Sequence, residues 1–346
     1  MPKQVTVTLT FPDGKRKYFR GATRKEAERK REEAKRSIDA GLDISAAKTT
    51  VKDFAEMWLK EYKRGTVRDV TYMSLESIVN RHILPSIGRM KVVEVRPVHI
   101  QKLIRDQSHL AKSTQQRIIT TLRALFEVAI ENSLILKNPC VKSVKAIGEQ
   151  AEEKMPLTKE QEKALLDKAR GTKLYLFVLL GLNCGLRRGE LLGLQWGDID
   201  FDTGMLNVER SIAPTKERNG GEVNTDLKTK AAKRTIPLSW SVVEELRAER
   251  SRAESVYVVH NRGNNYMGLT DMSYHWENIV KDLPFYVTPH IMRHTRITRW
   301  FEQGLDVKEV QYLAGHSNTK MTLDVYTHYQ KESRLCNTAE KIRAAM

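Results

Sequence analysis

The sequence predicts a multidomain, mainly α protein: a small N-terminal β-hairpin and helix module, an all-helical second domain and a mixed α+β third domain. Three observations lead there. Residues 5–20 alternate on either side of a turn and run into a charged helical stretch; two segments between Thr50 and Lys145 carry apolar residues at helical spacing; and beyond a polar linker, short β-rich runs interrupt helical ones. The expected boundaries are residues 1–45, 46–146, a linker over 147–156, and 157–346 with a C-terminal tail helix.

In the first module, Val5 to Phe11 is β-rich, Pro12-Asp13-Gly14-Lys15 is turn chemistry, and Arg16 to Arg20 forms the returning strand. Thr23 and Glu26 stand at capping-box spacing ahead of a helix that Gly41 can stop. Residues 1–45 hold 12 Lys and Arg against 7 Asp and Glu. Lys15, Arg16, Lys17 and Arg20 are therefore candidates for contact with a polyanion, against the alternative of a solvated, salt-bridged helix after an ordinary hairpin.

In the second domain, Val51, Phe54, Met57, Trp58 and Tyr62 fall on one helical face, and the run from Ser113 to Ile130 repeats the pattern. Arg81 to Gly88 breaks the periodicity, and Asn138-Pro139 closes the last helix. Lys112, Gln115, Gln116 and Arg117 surround Ser113 at an expected helix start, where backbone N–H groups and basic side chains can hold phosphate; plain surface solvation explains them as well.

The linker is polar and contains Gly148 and Pro156. Thr158 and Gln161 then cap the first helix of the third domain. Asp202-Thr203-Gly204 turns one strand into Met205 to Val208, Arg234 to Leu238 supplies another, and Val256 to His260 is a strand or a buried edge. The end of the chain is amphipathic, with Leu335, Ala339, Ile342 and Ala345 on one face.

Composition narrows the partner. With 346 residues there is length for two or three domains, and a formal net charge of +16 implies attraction to a polyanion, with DNA the economical candidate. About ten phosphate contacts would make such binding steeply salt-dependent. Three widely spaced cysteines, Cys140, Cys184 and Cys336, exclude a disulfide framework and a paired-cysteine metal site, so a reducing cytosol is the expected home. Neither a signal-peptide pattern nor an apolar run of about 18 residues is present, which predicts a soluble protein with no membrane partner.

The chemistry lies in separated boxes: Cys184-Gly-Leu-Arg-Arg-Gly-Glu190, His290-Ile-Met-Arg-His294, Ala314-Gly-His-Ser317 and Tyr326. A phenol with a pKa near 10 becomes a nucleophile only where positive charge favours the phenolate. A phosphodiester under attack gathers negative charge on its non-bridging oxygens, which arginine forks match; Arg187 and Arg293 are the candidates. His290 and His316 can donate to the same oxygens or exchange a proton. The departing 5′-oxygen needs a proton, for which Lys228 is the choice and Lys230 the close rival. His290 and His294 have metal-ligand spacing, but the glutamate of the zinc-protease pattern and a third ligand are missing, so no metal is expected.

Together these boxes resemble the tyrosine recombinases, and among them the integrases of temperate phages and Gram-positive conjugative transposons. The resemblance covers most of the chain. It places the family's first arginine at Arg187 with Glu190 in support, its hairpin lysine at Lys228 or Lys230, its second box on His290 and Arg293, its later histidine on His316 and its nucleophile on Tyr326. The chain departs at Ala314, where Leu is usual, and at Arg296-Ile297, where an apolar pair is usual, which puts packing or DNA contact in question there. The resemblance implies an arm-type DNA-binding module, an all-helical core-binding (SAM-like) domain and a mixed α+β tyrosine-recombinase catalytic domain. It further implies site-specific DNA recombination that integrates or excises a mobile element through a covalent 3′-phosphotyrosyl intermediate, with no cofactor. Double-stranded DNA attachment sites, arm and core, are the expected substrate. A homotetramer on DNA, with the tail packed in cis or in trans, is the expected assembly, working in the bacterial cytosol or nucleoid of the host cell. There is room for an excisionase, a directionality factor or a host DNA-bending protein. A type IB topoisomerase-like relaxing enzyme and a catalytically silent DNA-binding regulator are the alternatives.

Overall fold

The computed structural model describes residues 5–10, 16–39, 48–150, 155–215, 221–225 and 233–326. The chain is a mainly α, multidomain protein that divides into two compact units, Met1–Glu152 and Glu153–Met346.

The first unit opens with β1 (Val5–Thr10) and β2 (Arg16–Gly21), paired antiparallel from Val5 opposite Gly21 to Thr10 opposite Arg16. Helix α1 (Arg24–Asp39) packs on this ribbon and starts as expected, with the Glu26 amide donating to Thr23 Oγ1 at 3.2 Å while the Glu26 carboxylate reaches back to the Ala22 amide at 2.8 Å. The helical remainder comprises α2 (Val51–Met57), α3 (Asp69–Ile78), α4 (Leu84–Ile87), α5 (Pro97–Asp106) and α6 (Lys112–Glu131). Their core is built from Phe54, Trp58, Ile100, Leu103, Leu122 and Phe126.

Three expectations for this unit need correcting. The periodicity break at Arg81–Gly88 does not interrupt the helix: π-helical turns, Trp58–Lys63 after α2 and Val79–Ile83 between α3 and α4, carry the chain on. A widened turn ahead of Pro85 absorbs the hydrogen bond that proline cannot make. The last helix ends at Glu131 rather than at Asn138-Pro139, with Ser133 in the left-handed region at φ 56°. Asn138 instead ties the following loop back to α6, donating to the Arg123 carbonyl at 2.9 Å and the Glu127 carboxylate at 2.8 Å. Gln115 is no phosphate ligand. Fully buried, it donates to the carbonyls of Ile104 and Gln107 at 3.3 and 2.8 Å and accepts from the amides of Ile147 and Gly148 at 2.7 and 2.8 Å.

The second unit begins with α7 (Lys159–Ala169), capped by Thr158 and Gln161 as expected. Helix α8 (Tyr175–Cys184) is apolar on nearly all sides, so it forms the centre of the core, with α12 (Pro289–Glu302) packed along it. Between them in sequence come α9 (Arg188–Gly193), α10 (Trp240–Arg250) and α11 (Leu269–Val280), and after them α13 (Val307–Ala314) and helical residues 319–326. A three-stranded antiparallel sheet in the order β3 (Ile199–Asp200), β4 (Met205–Val208), β7 (Arg234–Pro237) flanks this core. The connection from β4 to β7 is more than a hairpin turn, since it contains a second ribbon of β5 (Ser211–Ala213) and β6 (Glu222–Asn224). Val256 to His260 forms an edge with isolated bridges, Gln195 to Tyr257 and His260 to Tyr266, buried at Val258 and Val259 and exposed at Val256. No described helix is long and apolar enough to cross a membrane.

Candidate active site

Helix α13 ends abruptly because Gly315 takes the left-handed conformation, φ 63° and ψ 42°, which costs glycine nothing and any other residue about 1 kcal/mol or more. The last carbonyls of a helix have no partner within it and sit at the negative end of its dipole. Here three arginines from three other elements supply donors to three successive carbonyls. Arg234 Nε donates to Leu313 O at 2.7 Å, Arg293 Nη2 to Ala314 O at 2.6 Å, and Arg187 Nη2 to Gly315 O in a short contact. Arg293 also donates Nη1 to Gly185 O at 2.8 Å, where α8 ends on a second left-handed glycine, φ 59°. Each guanidinium carries five N–H groups, so these bonds orient the forks and, at Arg187 and Arg293, leave donors over for an anion.

Glu190 sits beneath the cluster at 3% exposure. It accepts from the Arg187 amide at 2.8 Å and from Arg187 Nη1 at 2.7 Å, closing the first turn of α9 as a capping box, and takes a two-pronged bond from Arg234 at 2.9 and 3.2 Å. Burial pushes its carboxyl upward, but the charges and hydrogen bonds of Arg234 and Arg187 outweigh that and hold its pKa down at about 2. Burial, with Arg187 and Arg234 nearby, brings the Arg293 guanidinium down to about 9 against the pull of Glu190, so it stays cationic at neutral pH. Three arginines around one carboxylate leave a positive excess that an incoming phosphate would balance.

His316 follows this turn, buried, with Nδ1 2.9 Å from Thr322 Oγ1. Burial and the positive charges of Arg293, Arg187, Arg234 and His290 lower its pKa to about 3. The imidazole is thus neutral in the empty site, and a bound anion would raise its pKa again. His290 lies exposed in the first turn of α12, where Thr288 caps the helix by accepting from the Ile291 amide at 3.2 Å. It stands one turn before Arg293. Tyr326 is half-buried, its ring 4.9 Å from that of Phe301 near the far end of α12, about 12 Å along the axis from Arg293 at 1.5 Å per residue.

Arg187, Arg293 and His316 therefore converge on the end of α13 with Glu190 beneath them, His290 bears on the cluster through its charge on His316, and Tyr326 stands on the helical segment to which Thr322 joins His316. Lys228 and Lys230 lie outside the described residues. Arg234 belongs to the same constellation although the sequence did not single it out; the one available signal was a charged residue opening an otherwise β-rich run. Arg296, one of the two departures, packs its guanidinium 5.3 Å from the centre of the Trp300 ring. Ala314, the other, contributes a carbonyl, which every residue has.

Of the expected DNA contacts, Arg16 and Arg20 are exposed on β2, on the same face as Tyr18, whereas Lys17 is half-buried on the other; Lys15 lies outside the described residues. Lys112 and Arg117 are exposed on α6, but Ser113 does not cap that helix, whose cap position is Ala111. Arg117 donates to Ser74 on α3 in a short contact, at a shallow cleft of about 370 Å³ that Gln116 and Thr120 also line.

The chain is similar to known proteins along most of its length. Residues 156–333 match the phage integrase family, and residues 50–106 match the N-terminal SAM-like domain of phage integrases. A tyrosine recombinase XerC-like protein of Caldanaerobacter subterraneus subsp. tengcongensis is 30% identical over 94% of this chain and 92% of its own length. The transposase from transposon Tn916 of Enterococcus faecalis is 26% identical over 88% of this chain and 80% of its own. Among solved structures, the Tn1549 transposon integrase in complex with transposon right end DNA matches with a TM-score of 0.73 at 26% identity, covering 86% of this chain and 100% of that one. A lambda integrase tetramer bound to a Holliday junction shares the fold, with a TM-score of 0.63 at 18% identity over 90% of this chain and 93% of that one.

Proposed function

The chain belongs to the phage integrase family and is a tyrosine-type site-specific DNA recombinase, and from that premise we propose how its own residues cut and rejoin DNA. Arg187 and Arg293 hold the non-bridging oxygens of the scissile phosphate, with His290 and His316 as further donors. The Tyr326 phenol attacks phosphorus and gives up its proton to a neutral imidazole, for which His316 is suited. The bond from phosphorus to the 5′-oxygen breaks, and Lys228, or its rival Lys230, protonates that oxygen. The product is a 3′-phosphotyrosine, from which attack by another strand's 5′-hydroxyl reverses the sequence of steps.

The observation that carries this reading is the binding of the three arginines to three successive carbonyls just ahead of His316. It aims separated cations at one point before any substrate arrives, so little reorganisation is left for the reaction itself. Because the Tn1549 relative was solved with a transposon end, DNA ends or attachment sites of a mobile element are the proposed substrate. They would be met in the bacterial cytosol by a tetramer that spans two sites. Exposed Arg16, Tyr18 and Arg20 support an arm-type role for the N-terminal module, through which an excisionase or a host DNA-bending protein would act.

Incubating the protein with a nicked suicide duplex and resolving the products on a denaturing gel tests the assignment. The wild type should leave a covalent adduct and Tyr326→Phe none. An undiminished adduct with the Phe variant would remove Tyr326 from its role.

A further inference from the structure

Arg234 opens β7, the strand returning from the long β4 to β7 connection to the central sheet, and none of its side chain is exposed to solvent. An isolated charge in that position would be strongly disfavoured, and it is tolerated only because its bonding is well satisfied. Its Nε holds Leu313 O at 2.7 Å, and its two terminal nitrogens take both Glu190 oxygens, at 3.2 and 2.9 Å. Those are the oxygens that hold Arg187, one through its amide and the other through Nη1. Arg234 thus touches the partner of one phosphate-binding arginine and the carbonyl next to the partner of the other.

We propose that Arg234 is a positioning residue for DNA cleavage: by clamping the Glu190 carboxylate it keeps Arg187 aimed at the scissile phosphate, and by holding Leu313 it fixes the turn that carries His316. This inference rests on the recombinase reading of the site. It also gives the β4 to β7 connection, where the sequence places the candidate lysine, a physical tie to the arginine cluster through its last anchored residue.

Other arrangements explain the geometry less well. A purely structural ion pair has no need of a third bond to the carbonyl adjoining those used by Arg293 and Arg187. A direct phosphate contact is disfavoured by complete burial and by the bonds to Leu313 and Glu190 already made. Among the described residues, the charged groups facing Glu190 are Arg234 from β7, Arg187 at the start of α9 and Arg293 from α12, with His316 and His290 as the nearby groups that titrate. Without Arg234 the burial of Glu190 is opposed by less positive charge. Its protonation should then move to higher pH, and cleavage should begin its acid-side decline at a higher pH than in the wild type.

The test is a double-mutant cycle on the full chain with Arg234→Met, Glu190→Gln and the pair together, read as adduct yield on suicide DNA between pH 5 and 9, DNA affinity and melting temperature. Each single variant should lose about 100-fold in cleavage rate while DNA affinity changes by no more than about threefold, and the pair should cleave no worse than Glu190→Gln, because residues acting as one unit are not additive. Arg234→Lys, which keeps the charge but cannot fork, should recover part of the rate. The upward displacement of the acid-side decline in Arg234→Met should vanish in the pair; if the displacement persists, the histidines own it and the clamp on Glu190 is wrong. Multiplicative losses in the pair, or wild-type cleavage by Arg234→Met, would overturn the proposal while Tyr326→Phe still tested the site reading separately. Should Arg234→Met fail to fold, Arg234→Lys and the pair decide: additivity against Glu190→Gln overturns the clamp, and its absence supports it.

Discussion

Helix α1 and the junction of α9, β7 and α13 are built from the same chemistry, arginine and lysine paired with glutamate, to opposite effect. On α1 the pairs Arg24 with Glu28, Arg29 with Glu33 and Lys30 with Glu26 lie 3.0, 3.2 and 2.7 Å apart, each four residues along an exposed helix. At the junction Arg234 and Glu190 meet at 2.9 Å with side-chain exposures of 0% and 3%, joined from 44 residues apart. Water competes for the first set and screens it, so each pair is optional. The second set has no water to fall back on, so each member is needed by the others. What differs is the surroundings rather than the bond, and only the junction can fix side chains firmly enough for catalysis.

The sharpest way to break this contrast is Glu190→Ala, which leaves buried guanidiniums around a vacated carboxylate. Chemical denaturation should show a loss of about 3–5 kcal/mol, the range for one partner removed from a buried pair. A loss under about 1 kcal/mol would put the junction in the same class as α1.

A gentler probe is pH. The folded-state carboxyl of Glu190 titrates at about 2, below its ordinary 4.5, so its contribution is present above 4.5 and is lost as pH falls toward 2. His316 titrates at about 3 when folded, against 6.5 ordinarily, and is buried neutral, so the unfolded chain takes up its proton first and stability falls as pH drops from 6.5 toward 3. Both act in one direction. Melting temperature should decline through the whole acid window, and Glu190→Gln should flatten the lower part; a flat wild-type profile from pH 6.5 to 3 would contradict both assignments. The smallest effect belongs to α1: Glu33→Gln should leave the melting temperature unchanged within error at 0.15 M and at about 1 M salt, where screening is nearly complete.

How much could be read in advance follows the same division. That Arg187, Arg293 and His316 belong to one cluster was legible because each chemical group travels with a local motif, and the Thr158 and Gln161 cap because its bonds span three residues. The β4 and β7 strands were visible from their composition. Gln115 was misread because its four bonds reach α5 and residues 147–148, which no local pattern around α6 predicts. Arg234 was passed over because its partners are Glu190 and Leu313, far away in sequence. The π-helical turns at Trp58 and Val79 escaped because a widened turn changes hydrogen bonding without a distinctive composition.

The acceptors at residues 313–315 are atoms of the main chain, and this has an evolutionary corollary. A substitution at Leu313 or Ala314 cannot delete the oxygen that an arginine holds, so side chains there answer to packing constraints alone, and an alanine at 314 serves the Arg293 bond as a leucine would. Gly315 is the exception, since its φ of 63° restricts what may replace it. Variation should therefore accumulate immediately beside the most constrained chemistry in the molecule, and a search for recombinase sites that weights only invariant side chains would undervalue this turn.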